Sequence, residues 1–228
     1  MTKIAYRLLL GLILHAFVSF PLYAQKFVNA KDFGVVTNNE QIDNSVAFKM
    51  ILLYAQKNNI HIIKIPEGVF YISKGFNLPN DITIEGAGIN KTVIRVIKNL
   101  PARTDEYSQT AVFTGMHAYS LADSSSTRNI VIRNLTIDLQ KDSAEFDLSR
   151  FSMLGGIRLI NPINCIVDSI KIINPPKFGI GLFATKDGKL CTDNTIKNCT
   201  VIMQDNWYLQ LSPEIIPRSN ESCIGIEL

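Results

Sequence analysis

The chain has 228 residues, 46% of them hydrophobic, with a formal charge of +3. That length suits one domain with a buried core, and the balance of charge and apolar content excludes a disordered chain. The three histidines show no metal-ligand spacing, which argues against a zinc protein.

The first residues read as an export signal, expected over residues 1–24 with the folded domain over 25–228. Lys3 and Arg7 precede the apolar run Leu8–Phe20, and Pro21 to Gln25 offers a small residue before a polar one, with a cut expected after Ala24 or Gln25. The apolar run is shorter than a bilayer requires, so no integral membrane segment is expected after cleavage. Loss of Lys3 and Arg7 leaves a charge of about +1, which gives no electrostatic basis for a nucleic-acid partner. A secreted or periplasmic protein is expected.

After Asp43 or Asn44 as a cap, apolar residues at Ala47, Met50, Ile51 and Tyr54, with Phe48, Leu52 and Ala55 beside them, predict a helix. Lys57-Asn58-Asn59 ends it. Ile60–Ile65 and Val69–Ile72 read as strands on either side of Pro66-Glu67-Gly68. From Lys74 onward the pattern predicts short strands and turns with no further helix.

Two elements recur. Ile132-Arg133-Asn134-Leu135-Thr136-Ile137 is matched by Val167 to Ile172 and by Ile196 to Val201, at spacings of 35 and 29 residues, with a weaker relative 48 residues earlier at Ile84. Out of phase with it, Gly156-Ile157-Arg158-Leu159 resembles Gly179 to Leu182 and Gly225 to Leu228. Two repeating strands per period fit the coil of a β-solenoid, whereas propeller blades need longer periods. Stacked coils align like residues into ladders. Asn134 and Asn198 occupy equivalent positions and are expected to face the interior as such a ladder. Asn90, Asn134, Asn198 and Asn220 begin glycosylation sequons, read as chance matches. The four cysteines, Cys165, Cys191, Cys199 and Cys223, lack paired spacing and are read as buried small residues rather than a disulfide.

Ala30-Lys31-Asp32-Phe33-Gly34, then Ile65-Pro66-Glu67-Gly68-Val69-Phe70-Tyr71-Ile72, then Ile82 to Gly88, resemble the N-terminal signature of the pectate-lyase-3-like proteins. These belong to the pectin-lyase-like superfamily, with polygalacturonases, rhamnogalacturonases and tailspike depolymerases. The resemblance implies an all-β, right-handed parallel β-helix with an N-terminal capping helix, in which Asp32-Phe33-Gly34 starts the first strand. It also implies a polysaccharide substrate. In place of the Asp-rich stretch of many relatives, this chain has Thr37 to Asn44, a change confined to a loop.

Other motifs are excluded. Asp32-Phe33-Gly34 has none of the companions of a kinase. Gly86-Ala87-Gly88 lacks the third glycine and helix of a dinucleotide loop. The segments that carry the two carboxylates of polygalacturonases are missing. Asp193 in Cys191-Thr192-Asp193-Asn194 reads as a turn residue. A lyase would need a basic residue and a charge-stabilising cation such as Ca²⁺. Asp187, Asp193 and Asp205 are too dispersed to argue a calcium site, so no metal ligands or cofactor are identified.

A substrate groove is therefore expected on the Gly-Ile-x-Leu strands and the loops after them. Arg158 and Glu227 take the outward middle of that motif. Lys177, Asp205, Trp207 and Tyr208 lie near equivalent places, with Trp207 and Tyr208 offering faces to sugar rings. Arg158, Lys177, Asp205, Trp207 and Tyr208 are the candidate substrate-binding residues; no catalytic residue is identified. The leading expectation is a glycoside hydrolase or polysaccharide lyase acting on an acidic, pectin-like polysaccharide. The alternative is a non-catalytic glycan-binding or adhesion scaffold. About five coils of about 30 residues are expected, and the last strand has no polar capping segment behind it, so a truncated C-terminus is expected.

Overall fold

The computed structural model describes residues 26–97, 110–115, 126–139, 153–175, 178–184, 191–202 and 224–227. The export segment, Lys177, Asp187, Asp205, Trp207, Tyr208, Asn220 and Cys223 lie outside the described residues.

The strands stack in parallel into three faces, here called legs one, two and three. Leg one contains β1 (Phe27–Asn29), β2 (Ile62–Ile65), β5 (Thr83–Gly86), the first halves of β8 (Val131–Asp138) and β10 (Ile166–Ile173), and β12 (Thr195–Lys197). Leg two contains β3 (Gly68–Ile72), β6 (Thr92–Val96), the second halves of β8 and β10, and β13 (Thr200–Ile202). Leg three contains β4 (Phe76–Leu78), β7 (Thr110–Gly115), β9 (Met153–Ile160), β11 (Phe178–Phe183) and β14 (Ile224–Glu227). From β2 onward each coil contributes one strand segment to each leg, giving five coils among the described residues, in line with the number expected, with β1 stacked before the first.

Apolar ladders fill the interior. On leg one, Val28, Ile63, Ile84, Ile132, Val167 and Ile196 are in register from coil to coil. On leg two the ladder is Phe70, Ile94, Ile137, Ile172 and Val201. Leg three supplies Phe76, Phe113, Ile157 and Ile180. Residues of all three ladders join one continuous core, so coil stacking and hydrophobic burial cooperate.

The corners explain the asparagines. Among the described residues, twelve other than glycine have positive φ, and nine of these are Asn. Asn tolerates this left-handed conformation better than most residues. Between legs one and two, Asn134 (φ 60°), Ser169 (φ 55°) and Asn198 (φ 54°) turn equivalent corners. The expectation that Asn134 and Asn198 face the interior is therefore corrected: Asn134 is half-buried and Asn198 exposed. A side-chain ladder lies instead at the corner before leg one. There Asn164 Nδ2 donates to Asn129 Oδ1 (2.8 Å), and Asn129 Nδ2 donates to Asp81 Oδ1 (2.6 Å). Asp193 (φ 58°) turns the same corner one coil later, in the turn role read for it.

The helix is α1 (Ser45–Lys57). Phe48, Ile51 and Ala55 are buried and join the core. The Phe48 ring lies 5.8 Å from Phe70 and 5.2 Å from Phe76, both core residues of the first coil. The helix thus covers apolar residues that have no preceding full coil. Its buried face is narrower than the pattern suggested, because Val46, Met50, Leu53 and Tyr54 are exposed. Asp43 satisfies the first turn, accepting from the Ser45 N–H at 2.9 Å. Asn44 instead ties the preceding loop to β3, accepting from Val36 N (2.7 Å) and donating to Tyr71 O (3.2 Å).

Asp32-Phe33-Gly34 does not start the first strand. It follows β1 in a 3-10 turn over Ala30–Phe33, closed by Asn29 Oδ1 accepting from Lys31 N and by Gly34 at φ 75°. Of the cysteines, Cys165 is buried and Cys199 half-buried, as read, whereas Cys191 is exposed; these three are free thiols.

Candidate functional site

The recurrent glycine of the leg-three motif has a structural cause. Coil-to-coil pairing of β7, β9 and β11 skips Val112, Gly156 and Gly179. A Cβ on Gly156 would meet Ile172 Cδ1 at 2.5 Å and the carbonyl oxygen of Gly179 at 2.8 Å. Glycine at this irregularity lets the strand continue with Ile157 and Leu159 in the core.

A second glycine pair shapes the outer face. A Cβ on Gly155 would meet the Phe178 ring at 2.2 Å, and one on Gly181 would meet the Phe183 ring at 2.2 Å. The two rings meet edge to face at 5.6 Å. With Ala111 they form a small apolar cluster separate from the interior core. Phe178 is buried and Phe183 half-buried, so little of the cluster meets solvent.

Arg158 stands beside that cluster. It is in register with Thr114 on one neighbouring coil and Gly181 on the next, and Gly181 is in register with Glu227. Its guanidinium carbon lies 5.6 Å from the Phe183 ring centroid, within cation–π reach. Arg158 is half-buried, and this burial lowers its proton affinity below the usual arginine value. A guanidinium stays charged even so, which leaves a partly desolvated cation able to grip a carboxylate with a planar pair of N–H groups.

Of the five candidate residues, the structure thus places Arg158 on the outer face of leg three; Lys177, Asp205, Trp207 and Tyr208 lie outside the described residues. Phe178 and Phe183 were missed by sequence reasoning. The available signal was Gly181 two residues before Phe183, a glycine and an aromatic on the same side of one strand.

Other charged groups form structural pairs. Lys64, Glu85, Arg133, Asp168 and Lys197 stand in register on leg one with alternating sign. Arg133 meets Glu85 at 3.2 Å and Lys197 meets Asp168 at 3.5 Å. On leg two Arg95 Nε donates to Asp138 Oδ2 at 2.9 Å. Among the described residues no group of three or more His, Cys, Asp or Glu is arranged to hold a metal ion. No helix among them is long and apolar enough to cross a membrane.

Comparison with known proteins agrees with this architecture. The family model described as rhamnogalacturonase A/epimerase, pectate lyase-like, matches residues 27–207. Among solved structures, the tailspike protein of E. coli bacteriophage HK620, in complex with a pentasaccharide, has a TM-score of 0.58 and 16% identity, covering 76% of this chain and 30% of that one. The A-module of the mannuronan C-5 epimerase AlgE6 of Azotobacter vinelandii has a TM-score of 0.50 and 18% identity, covering 69% of this chain and 41% of that one. The pre-mature gene product 12 of bacteriophage phi29 has a TM-score of 0.53 and 17% identity, covering 75% and 21%. This chain therefore spans less than half the length of these structures, and the likeness is one of fold. No curated protein matches the chain. The model match, spanning most of the chain, together with the stacked parallel legs, establishes the fold as a right-handed parallel β-helix and shows that the chain belongs to the rhamnogalacturonase A/epimerase, pectate lyase-like family.

Proposed function

We propose that the protein is exported, to the periplasm or the medium, and acts on an acidic polysaccharide as a glycoside hydrolase or polysaccharide lyase. The observation that carries the substrate class is Arg158, a half-buried cation on the outer face of leg three. Family membership supports the reaction class, and the positive n-region before Leu8–Phe20 supports export. In this reading Arg158 binds a uronate carboxylate while the Phe183 ring limits water on one side of the guanidinium. Lys177, Asp205, Trp207 and Tyr208 complete the groove, the last two by stacking on sugar rings.

The reactions leave different products. Hydrolysis adds water and yields a new reducing end. Elimination removes the proton beside the carboxylate, expels the neighbouring glycosidic oxygen and leaves an unsaturated end. Epimerisation, also in the family's description, removes the same proton and returns one to the opposite face without chain cleavage. Incubation with polygalacturonate, rhamnogalacturonan and alginate, read by reducing ends, absorbance of unsaturated ends and proton NMR, separates them. Silence in all three readouts overturns the enzymatic reading.

A second reading is a non-catalytic glycan-binding scaffold. It is favoured by the charged side chains described on the outer faces of legs one and two, where Glu85, Asp138 and Asp168 are each paired with a cation. Saturable binding with unchanged polysaccharide establishes that reading.

A further inference from the structure

A cavity of about 320 Å³ lies far from Arg158 in the coil order, where the end of α1 meets the corner between β4 and β5. Gln56, Asn59, His61, Asn80 and Asp81 give it polar walls and Pro79 an apolar one. This volume is at the small end of ligand pockets, large enough for one sugar ring.

The polar groups are held in place by the fold. His61 Nδ1 lies 2.7 Å from the Asp81 carbonyl oxygen, so that nitrogen carries the proton and donates, leaving Nε2 as an acceptor in the neutral ring. Asn80 Oδ1 accepts from Arg128 N at 2.8 Å, which fixes the amide with its NH₂ group left over. Asp81 Oδ1 accepts from Asn129 Nδ2 at the end of the amide ladder, and its second oxygen has no partner among the described residues. One corner therefore presents an amide donor, a carboxylate acceptor and an imidazole acceptor, each preset by a contact elsewhere. Such preset groups spare a ligand the cost of ordering them.

We propose that this corner is a binding site for a single neutral sugar residue, separate from the leg-three face. Three features select that chemistry. Asp81 is the only charged residue lining the cavity, which disfavours an anionic ligand. The single carboxylate is too few for a cation cage, which takes several oxygen ligands. The mixture of donors, acceptors and an apolar wall matches a ring with hydroxyl edges and a C–H face. One hydroxyl donates to Asp81 while its neighbour accepts from Asn80. The sugar is either a free monosaccharide or the end of a neutral side chain on a larger glycan.

Amide proton–nitrogen spectra of the full chain, titrated with methyl glycosides of glucose, galactose, mannose and rhamnose, test the site. The expected result is saturable shifts at Asn80, Asp81 and the Gln56 side chain with at least one of them. Asp81→Asn and His61→Ala should each weaken that binding about tenfold, the scale of a hydrogen bond to a buried or charged group. Arg158→Ala should leave it unchanged, so the site is tested whether or not the leg-three reading survives. If Asp81→Asn disturbs the fold through Asn129, the exposed His61 variant carries the test. A neutral oligosaccharide binding more tightly than every methyl glycoside identifies a chain end as ligand. No saturable shift with any glycoside, shifts retained in the His61 variant, or shifts produced only by galacturonate or Ca²⁺ overturn the proposal.

Discussion

The guanidinium of Arg158 and the ring of Phe183 sit 5.6 Å apart on the outer face of leg three. They come from adjacent coils, because Arg158 is in register with Gly181 and the Phe183 ring covers that glycine. A charge on one coil and an apolar wall on the next therefore depend on one missing side chain between them.

Arg158→Ala should reduce polygalacturonate binding about tenfold or more, as expected for losing a charge-assisted pair. Arg158→Lys should restore only part of it, because an ammonium lacks the planar fork. Affinity electrophoresis measures both. The melting temperature should fall by only a few degrees, about 2–4 °C per kcal/mol for a chain of this size. Equal binding by all three proteins removes Arg158 from the site.

Glycine substitutions should separate crowded backbone from crowded side chains. A Cβ on Gly86 would lie 2.3 Å from the Asn134 carbonyl oxygen, a backbone atom of the next coil. One on Gly181 would meet the Phe183 ring, which can swing aside. Gly86→Ala is therefore expected to cost about 2–3 kcal/mol or more in urea unfolding, and Gly181→Ala less than about 1.5 kcal/mol. Gly181→Ala should nonetheless impair binding by moving Phe183. The reverse order of stabilities would show that the coils can separate locally at Gly86.

The leg-one charge ladder predicts a sign-dependent effect. Arg133 stands between Glu85 and Asp168 in register. Arg133→Glu places a third negative charge between them and should cost about 1–2 kcal/mol, since like charges opposite one another in a sheet repel. Arg133→Gln should cost less, because these partly exposed pairs are worth about 0.2–1 kcal/mol each. Salt should recover part of the Glu variant's loss and little of the Gln variant's. Melting curves at low and high salt distinguish the two.

Much of the architecture was legible because its cause is local. The repeated apolar positions at Ile132, Val167 and Ile196 are the leg-one ladder itself. The Gly-Ile-x-Leu copies mark leg three because Gly156 and Gly179 fall at the same skipped position of the coil-to-coil pairing, and at Gly156 a side chain would collide with Ile172 and the Gly179 carbonyl oxygen. The asparagine corners were visible but misassigned. Asn134 and Asn198 fall inside the repeated apolar pattern, which draws them inward on paper, while their positive φ turns the chain there. The true amide ladder through Asn129 and Asn164 lies three residues before each leg-one apolar position, in turns whose register depends on coil stacking. His61 drew no functional reading, because its cavity joins residues about 25 positions apart, from the end of α1 to Asp81.

Asp43 supplies an acid-sensitive contact at the N-terminal end. Partial burial works against its charge, but hydrogen bonds from the Ser45 and Ser73 side chains and backbone outweigh that and hold its pKa below the ordinary 3.8. A group depressed on folding stabilises the protein above its unfolded pKa, and that contribution is lost as pH falls through the lower folded value. Asp43→Asn should therefore melt below the parent from about pH 5 upward, with the gap closing as pH falls below about 4. Asp168, also depressed, chiefly by the hydrogen bond from Asn198, is present in both proteins and cancels in the comparison. The difference should be modest, about 1 kcal/mol or less, as for loss of an exposed cap. A gap that persists undiminished to pH 2 would show that the Asn variant loses packing rather than charge, and would remove Asp43 as the titrating contact of the cap.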